Sequence, residues 1–254
     1  MYETLTYELA DGVGVITLDR PEVLNCFNPR MCEEFAHLWA AVRSDDEVRC
    51  LVLRANGAHF STGLDVKAGR EYPADPWTVS DPGDQLSPKR NKVWKPVVCA
   101  VQGMCAGGAF YWLNESDIII CSEDAEFFDP HTSYGMTAAL EPIGLRYRAP
   151  LGDVLRMVLL GLDERMSPEA ALAAGLVSEV VPRDKLWERA DELARLIAAK
   201  PPMAVQGSVK AIWESLDVHR TAALDRGFAY PQVTKLVQPP VDRAGRKPGT
   251  WMTR

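Results

Sequence analysis

Hydrophobic and polar positions along this chain alternate in short runs and then recur at helical spacing, which predicts strands and helices in turn. VGVITLD (13–19) and VRCLVLRA (48–55) read as strands, and Asp11-Gly12 predicts a hairpin joining residues 4–9 to the first of them. Over 29–43 the apolar residues Met31, Phe35, Leu38, Trp39 and Val42 mark one buried helix face. Asn28 stands as its cap and Pro29 as its first residue. Two further apolar runs, KPVVCAVQG (95–103) and SDIIICS (116–122), read as buried strands, and AEFFDP adds a short one.

Beyond these the pattern turns helical. PLGDVLRMVLLG (150–161) and SPEAALAAG (167–175) read as helices, the second with a Ser-Pro-Glu start and a glycine stop, and VSEVV (177–181) reads as a strand. From Asp184 to about Lys235 the periodicity is helical, broken at Pro201 and Pro202 and again near Leu216, with no strands left for those helices to cover. Residues 70–90 carry four prolines and little periodicity. They read as a long surface excursion, either a functional lid or a poorly ordered insertion. The alternation as a whole argues for an α/β core with a helical C-terminal region.

Composition narrows the function classes. In 254 residues, 47% are hydrophobic and 25% charged, enough for a sizeable core. A net charge of -7 argues against a nucleic-acid surface, which needs clustered Lys and Arg. The six cysteines form no Cys-x-x-Cys pair and sit in apolar runs, as reduced buried thiols do. No basic-then-apolar leader and no run near the roughly 20 apolar residues that span a bilayer is present, so a soluble cytoplasmic protein with no membrane contact is expected. No His, Cys and carboxylate cluster has metal-ligand spacing, so no metal is expected.

Two loops share one design, an apolar strand followed by small residues and a helix start: HFSTGLDVKAG (59–69) and GMCAGGAFYW (103–112). Backbone N–H groups at a helix start lack an intrahelical partner and carry partial positive charge. Two such starts facing each other could hold one carbonyl oxygen as it becomes an oxyanion. Each loop alone reads equally as a turn or packing point.

RPEVLNCFN, HFSTGLD and AVQGMCAGGAFYWLNESDIIICSEDAEFFDP, followed by RMVLLGLDERMSPEAALAAGLVSEVVP and the helical tail, resemble the successive blocks of the enoyl-CoA hydratase/isomerase (crotonase) superfamily. The resemblance covers nearly the whole chain in colinear order. It implies an α/β fold, a crotonase-type spiral of ββα units over residues 1–195 carrying the acyl-CoA site. Residues 196–254 would then form a C-terminal helical region for trimerisation and pocket cover, in a homotrimer or hexamer. The shared chemistry of the family is stabilisation of an acyl-CoA thioester enolate by two backbone N–H groups, which by motif position belong to Leu64 and Gly108. The same resemblance assigns the coenzyme A channel to the RPEVLN loop, with Arg20 and Leu24, and to Leu64 through Asp65 and Lys67. Arg20 and Lys67 would meet phosphates, or else are ordinary surface charges. No cofactor is implied beyond coenzyme A carried by the substrate.

The two glutamates that deliver water in the family's hydratases are absent. Tyr111 occupies the first position and His131 the second. A phenol with an ordinary pKa of about 10 is a poor base at neutral pH, whereas an imidazole titrates near 6.5. Glu141, at a predicted helix start, is the preferred relocated base, with His131 or Tyr111 as proton partner, and the helix dipole is expected to depress its pKa. The alternatives are a helix cap for Glu141, a turn brace for Asp129 and core packing for Tyr111 and Trp112, the core reading being preferred for Trp112. His37, His59 and His219 read as structural or surface residues. The competing functions are a catalytically silent acyl-CoA-binding or assembly protein, and a hydrolase opening a cyclic β-keto acyl-CoA. A serine peptidase using Ser61 or Ser133 is disfavoured, because no G-x-S-x-G elbow is present.

Overall fold

A computed structural model describes residues 2–68, 77 and 79–239. The expected excursion over 70–90 therefore lies outside the described residues from 70 to 76 and at 78, as does the end of the C-terminal region from 240 onward.

The chain opens with strands β1 (Leu5–Ala10) and β2 (Val13–Leu18), paired antiparallel from Leu5 opposite Leu18 to Ala10 opposite Val13. Their two-residue link, Asp11 (φ 51°) and Gly12 (φ 79°), has the positive φ values that match the twist of a hairpin. Helix α1 (Pro29–Ser44) follows, its first turn capped by the Asn28 side chain accepting from Met31 N–H, and all five expected apolar residues are buried. β3 (Cys50–Ala55), the short helix α2 (Gly83–Leu86), β4 (Val97–Val101) and β5 (Met104–Ala106) come next. Helix α3 (Phe110–Asn114), β6 (Ile118–Ser122), β7 (Glu126–Phe128), α4 (Leu140–Leu145), α5 (Leu151–Leu160), α6 (Pro168–Ala174) and β8 (Glu179–Val181) complete the core.

Six strands form one sheet in the order β1-β2-β3-β4-β6-β8, parallel throughout except for β1. Strand side chains alternate between faces, so Leu51 and Leu53 join the cluster under α1, while Cys50 and Val52 face the other way. That second face is covered by helix α7 (Leu186–Ala198) through Leu186, Ala190, Ala194 and Ala198. The expectation that the helices after Asp184 have no strand to cover is thus overturned. A parallel sheet exposes neither face, and small alanines at four-residue spacing let α7 lie close against Val52, Val98, Ala100 and Ile120.

A second layer accompanies the sheet, as the resemblance to a ββα spiral implies, with β7 where AEFFDP reads as a strand. β5 and β7 pair parallel, Ser61 bridges Cys105, and Phe127 bridges Met166 antiparallel. After β3, β4 and β6 the chain steps into this narrow second layer, which is the ββα spiral. The glycine loop is accordingly not all loop, since Met104–Ala106 is a strand before the glycines begin. Trp112, fully buried, sits between the layers against Phe27, Phe35 and Phe60.

The remaining helices, α8 (Pro202–Glu214), α9 (Arg220–Gly227) and α10 (Ala229–Val237), break where the prolines and Leu216 foretell. No helix among the described residues is long and apolar enough to cross a membrane. All six cysteines are free, five of them buried, and burial pushes the Cys50, Cys99 and Cys121 thiols up to about 12.

One carboxylate fastens α8 to the core. Asp117 accepts from Trp213 Nε1 at 2.7 Å through one oxygen, and from the Lys89 ammonium and Val97 N–H, both at 2.7 Å, through the other. Lys89 is almost wholly buried, and desolvation holds its pKa below the usual value despite this partner. Asp117→Asn leaves that ammonium without its counter-charge and is expected to cost about 3–5 kcal/mol, read as the shift of the urea unfolding curve with unchanged slope.

Candidate functional site

The site begins where the two glycine-bearing turns touch. Phe27 and the segment after β3 form a parallel bridge, with Phe27 N–H donating to Gly63 O at 2.8 Å and Asp65 N–H donating to Phe27 O at 2.9 Å. Residues 63 and 65 thus spend their groups on Phe27, and the Leu64 N–H between them points away from that strand. Gly108 is the second residue of a 3₁₀ turn, Gly107–Ala109, that runs into α3, so its N–H has no partner within the helix.

Gly63 (φ 88°) brings these two stretches together. A Cβ placed on it would lie 2.7 Å from Gly108 N and 3.4 Å from Gly108 Cα, and one on Gly108 would lie 2.5 Å from Phe27 Cε1. Only bare backbone fits at this crossing. Two N–H groups beside such a crossing can take one carbonyl oxygen and favour it as negative charge develops.

The chain leaving β7 supplies the titratable groups. Asp129, 2% exposed, accepts from His131 N–H at 3.0 Å, and its Oδ1 lies 2.6 Å from His131 Nδ1. The imidazole lies beside the glycine turn, because a Cβ on Gly107 would be 3.6 Å from His131 Cε1. Its other nitrogen, Nε2, is 4.0 Å from Glu141 Oε1. The hydrogen bond His131 donates to Asp129, reinforced by the charges of Asp129 and Glu141, raises the His131 pKa above 6.5 against the opposing effect of burial.

Glu141 stands in the first turn of α4, as expected, but its pKa moves the opposite way from the sequence-based expectation. Burial raises it above 4.5, outweighing the bond to its own backbone N–H and the neighbouring His131. A helix of six residues offers a weak dipole, while the carboxyl is only 7% exposed, so desolvation wins.

Tyr111 is buried on α3. Its phenol pKa is raised, first by burial and then by the charges of Glu141 and Asp81, with Asp81 also accepting a hydrogen bond from it. Tyr111 is therefore a neutral donor at any working pH. Arg90 holds Asp81 and Asp84 at 2.5 and 2.8 Å. A cavity of about 800 Å³ opens beside Tyr111, Asn114, Leu140 and Ile143, closed on its far side by Trp94 and Trp213.

The structure thus gathers Leu64, Gly108, His131, Glu141 and Tyr111 into one neighbourhood. The four residues expected along the coenzyme A channel lie at its edge, where Thr62 N–H donates to Leu24 O at 3.2 Å. Leu24 is partly exposed in a left-handed conformation (φ 56°), and Lys67 is exposed. Arg20 is bound to Asp65 at 2.9 Å and to Cys26 O at 2.6 Å, and Asp65 also accepts from Lys67 and Ala68 N–H.

The serines are structural. Ser61 hydroxyl donates to Asn25 O and accepts from Gly63 N–H, while Ser133 accepts from Leu162 N–H. Sequence reasoning missed Asp81, whose partner lies thirty positions away and left no local signal. It named Asp129 without its task, although the Asp-x-His spacing was the available clue.

Comparison with known proteins identifies the family. The family model for enoyl-CoA hydratase/isomerase matches residues 8–230. The chain is 33% identical over 231 residues to (E)-benzylidenesuccinyl-CoA hydratase of Thauera aromatica, covering 89% of this chain and 87% of the relative. It is 30% identical over 224 residues to 1,2-epoxyphenylacetyl-CoA isomerase of Escherichia coli, covering 86% and 85%. The crystal structure of an enoyl-CoA hydratase/isomerase from Mycobacterium paratuberculosis superposes with a TM-score of 0.84 at 35% identity, over 92% of this chain and 91% of that one. With a family model spanning most of its length and a shared fold beneath it, the chain belongs to the enoyl-CoA hydratase/isomerase family.

Proposed function

We propose that this protein is an acyl-CoA enzyme that stabilises a thioester enolate between the N–H groups of Leu64 and Gly108, and moves protons with Glu141 and His131 in place of the two glutamates. The observation that carries the reading is the 4.0 Å approach of His131 Nε2 to Glu141 Oε1 beside the Gly63–Gly108 crossing. A water about 2.8 Å from both atoms would subtend roughly 90° between them, an acceptable geometry for one water bridging two partners.

In hydration of a 2-enoyl-CoA, Glu141 takes a proton from this water as its oxygen bonds to the β-carbon. The electron pair of the double bond moves onto the thioester oxygen held by the two N–H groups. Protonated His131 then delivers its proton to the α-carbon, and Glu141 returns a proton to His131 across their contact. Double-bond isomerisation draws on the same pair, with a γ-proton in place of the water. Tyr111, fixed as a neutral donor, shapes the acyl side. No metal or redox step enters, since the thioester itself activates the acyl group.

Buried Asp129, bonded to half-buried His131, favours an enzyme over a silent binder, because burying that carboxylate costs desolvation that simple coenzyme A binding does not require. Arg20, Leu24, Asp65 and Lys67 border the proposed coenzyme A channel, with exposed Lys67 meeting phosphate and Arg20 bracing Asp65. The exposed apolar residues Ile143, Leu151 and Leu159 on α4 and α5, with Leu224 and Phe228 on and beside α9, support a homotrimer or a hexamer of two trimers. Free, buried thiols support a reducing, cytoplasmic setting.

A panel of enoyl-CoA and cyclic β-keto acyl-CoA thioesters tests the reading. Turnover of a 2-enoyl-CoA, with loss of about 10²–10⁴ in kcat for Glu141→Gln, is expected. Binding of the whole panel without turnover would overturn it in favour of the silent binder, and opening of a β-keto ring would assign the hydrolase instead. The pH profile of kcat should be a bell whose acid limb lies above 4.5 and whose basic limb lies above 6.5, both belonging to the Glu141–His131 pair.

Stability gives an independent check on the same carboxyl. A Glu whose folded pKa is raised binds its proton more tightly folded than unfolded, so its contribution to stability falls as pH rises from 4.5 through the folded pKa. Glu141→Gln removes that penalty. The variant is expected to melt higher than the wild type at pH 7, and the difference to vanish below pH 4.5, where both side chains are neutral.

A further inference from the structure

We propose that Asp129 is a positioning residue: its hydrogen bond to His131 Nδ1 fixes the tautomer and orientation of the imidazole, so that Nε2 is the atom that exchanges protons with Glu141 and substrate. The inference rests on the acid/base reading given above and deepens it.

The geometry leaves the imidazole little choice. Asp129 Oδ1 lies 2.6 Å from Nδ1 and accepts from the His131 backbone N–H at 3.0 Å, so one buried oxygen grips both the ring and its main chain. Pro130 between them restricts the backbone, and the edge of the ring carrying Cε1 lies beside Gly107, where a Cβ would meet it at an ordinary contact distance of 3.6 Å. A carboxylate accepts and does not donate. Neutral His131 must therefore carry its proton on Nδ1, leaving the lone pair on Nε2, 4.0 Å from Glu141 Oε1.

When Nε2 gains a proton, the buried Asp129 charge stabilises the imidazolium and keeps it available as an acid. The charged groups bearing on this site are few among the described residues. Asp129 and Glu141 act on His131 directly, and Asp81 acts on Glu141 from the segment before α2. Tyr111 on α3 adds a neutral phenol. The family's glutamate at this position needs no such partner, because a carboxylate has no tautomer to choose. An imidazole does, and a buried aspartate two residues earlier supplies the choice.

Two measurements test this. In the wild-type protein labelled with ¹⁵N-histidine, His131 is assigned by comparison with His131→Gln and so separated from His37, His59 and His219. It is expected to titrate above 6.5 and, when neutral, to carry its proton on Nδ1. A neutral form protonated on Nε2, or titration at or below 6.5, would overturn the proposal. Because no substrate is needed, this result is separate from whether the acyl-CoA panel is turned over.

The second measurement is kinetic. Asp129→Asn can donate to Nδ1 and so stabilise the wrong tautomer; kcat should fall by about 10²–10⁴ with KM little changed. Removing the charge lowers the His131 pKa, so the basic limb of the kcat profile should move to lower pH. A lowered melting temperature with the basic limb unmoved would mean that Asp129 only braces its turn, and would sink the proposal. If the variant does not fold, the wild-type titration alone decides.

Discussion

The crossing of Gly63 over Gly108 is the constraint on which the site depends. At 2.7 Å from a would-be Cβ to the Gly108 nitrogen, no side chain can stand between the two turns. Everything around serves to hold that approach. Phe27 bonds to the residues on either side of Leu64, Ser61 pins Gly63 from below, and the second layer of short strands sets the distance from β3 to β5. The donors of the proposed function are main-chain groups, which a side-chain substitution does not remove.

Proton transfer is free to vary on that frame. In the proposed function the base, Glu141, has a pKa raised by burial, and the acid, His131, has one raised by its bond to buried Asp129. The first shift lets Glu141 hold a proton to higher pH, and the second keeps His131 charged to higher pH. Tyr111 takes no part as a base, because burial and two nearby carboxylates hold its proton in place.

Much of this was legible in the residues, and what was not has a physical reason. The Asp11-Gly12 turn, the Asn28-Pro29 helix start and the buried face of α1 rest on local rules and appear as read. Leu64 and Gly108 were placed by motif, and the adjacency of their turns could be judged only from coordinates. β5, a strand of three residues, is too short to show a period, whereas β7 appears where AEFFDP reads as a strand. The pattern of α7 revealed a buried face without saying what buries it. The sign of the Glu141 shift failed because a helix start is local and desolvation is tertiary, and the pairing of Asp81 with Tyr111 left no trace in sequence for the same reason.

The cysteines carry a consequence for how this protein behaves under stress. Only the thiolate reacts readily with oxidants and alkylating agents, and thiols pushed up to about 12 at Cys50, Cys99 and Cys121 hold almost none of it in the folded state. Each lies on a central strand, so exposing it requires the sheet itself to open. Chemical damage to the core is thereby coupled to global unfolding, and these sulfurs act as built-in recorders of how often a molecule has come apart.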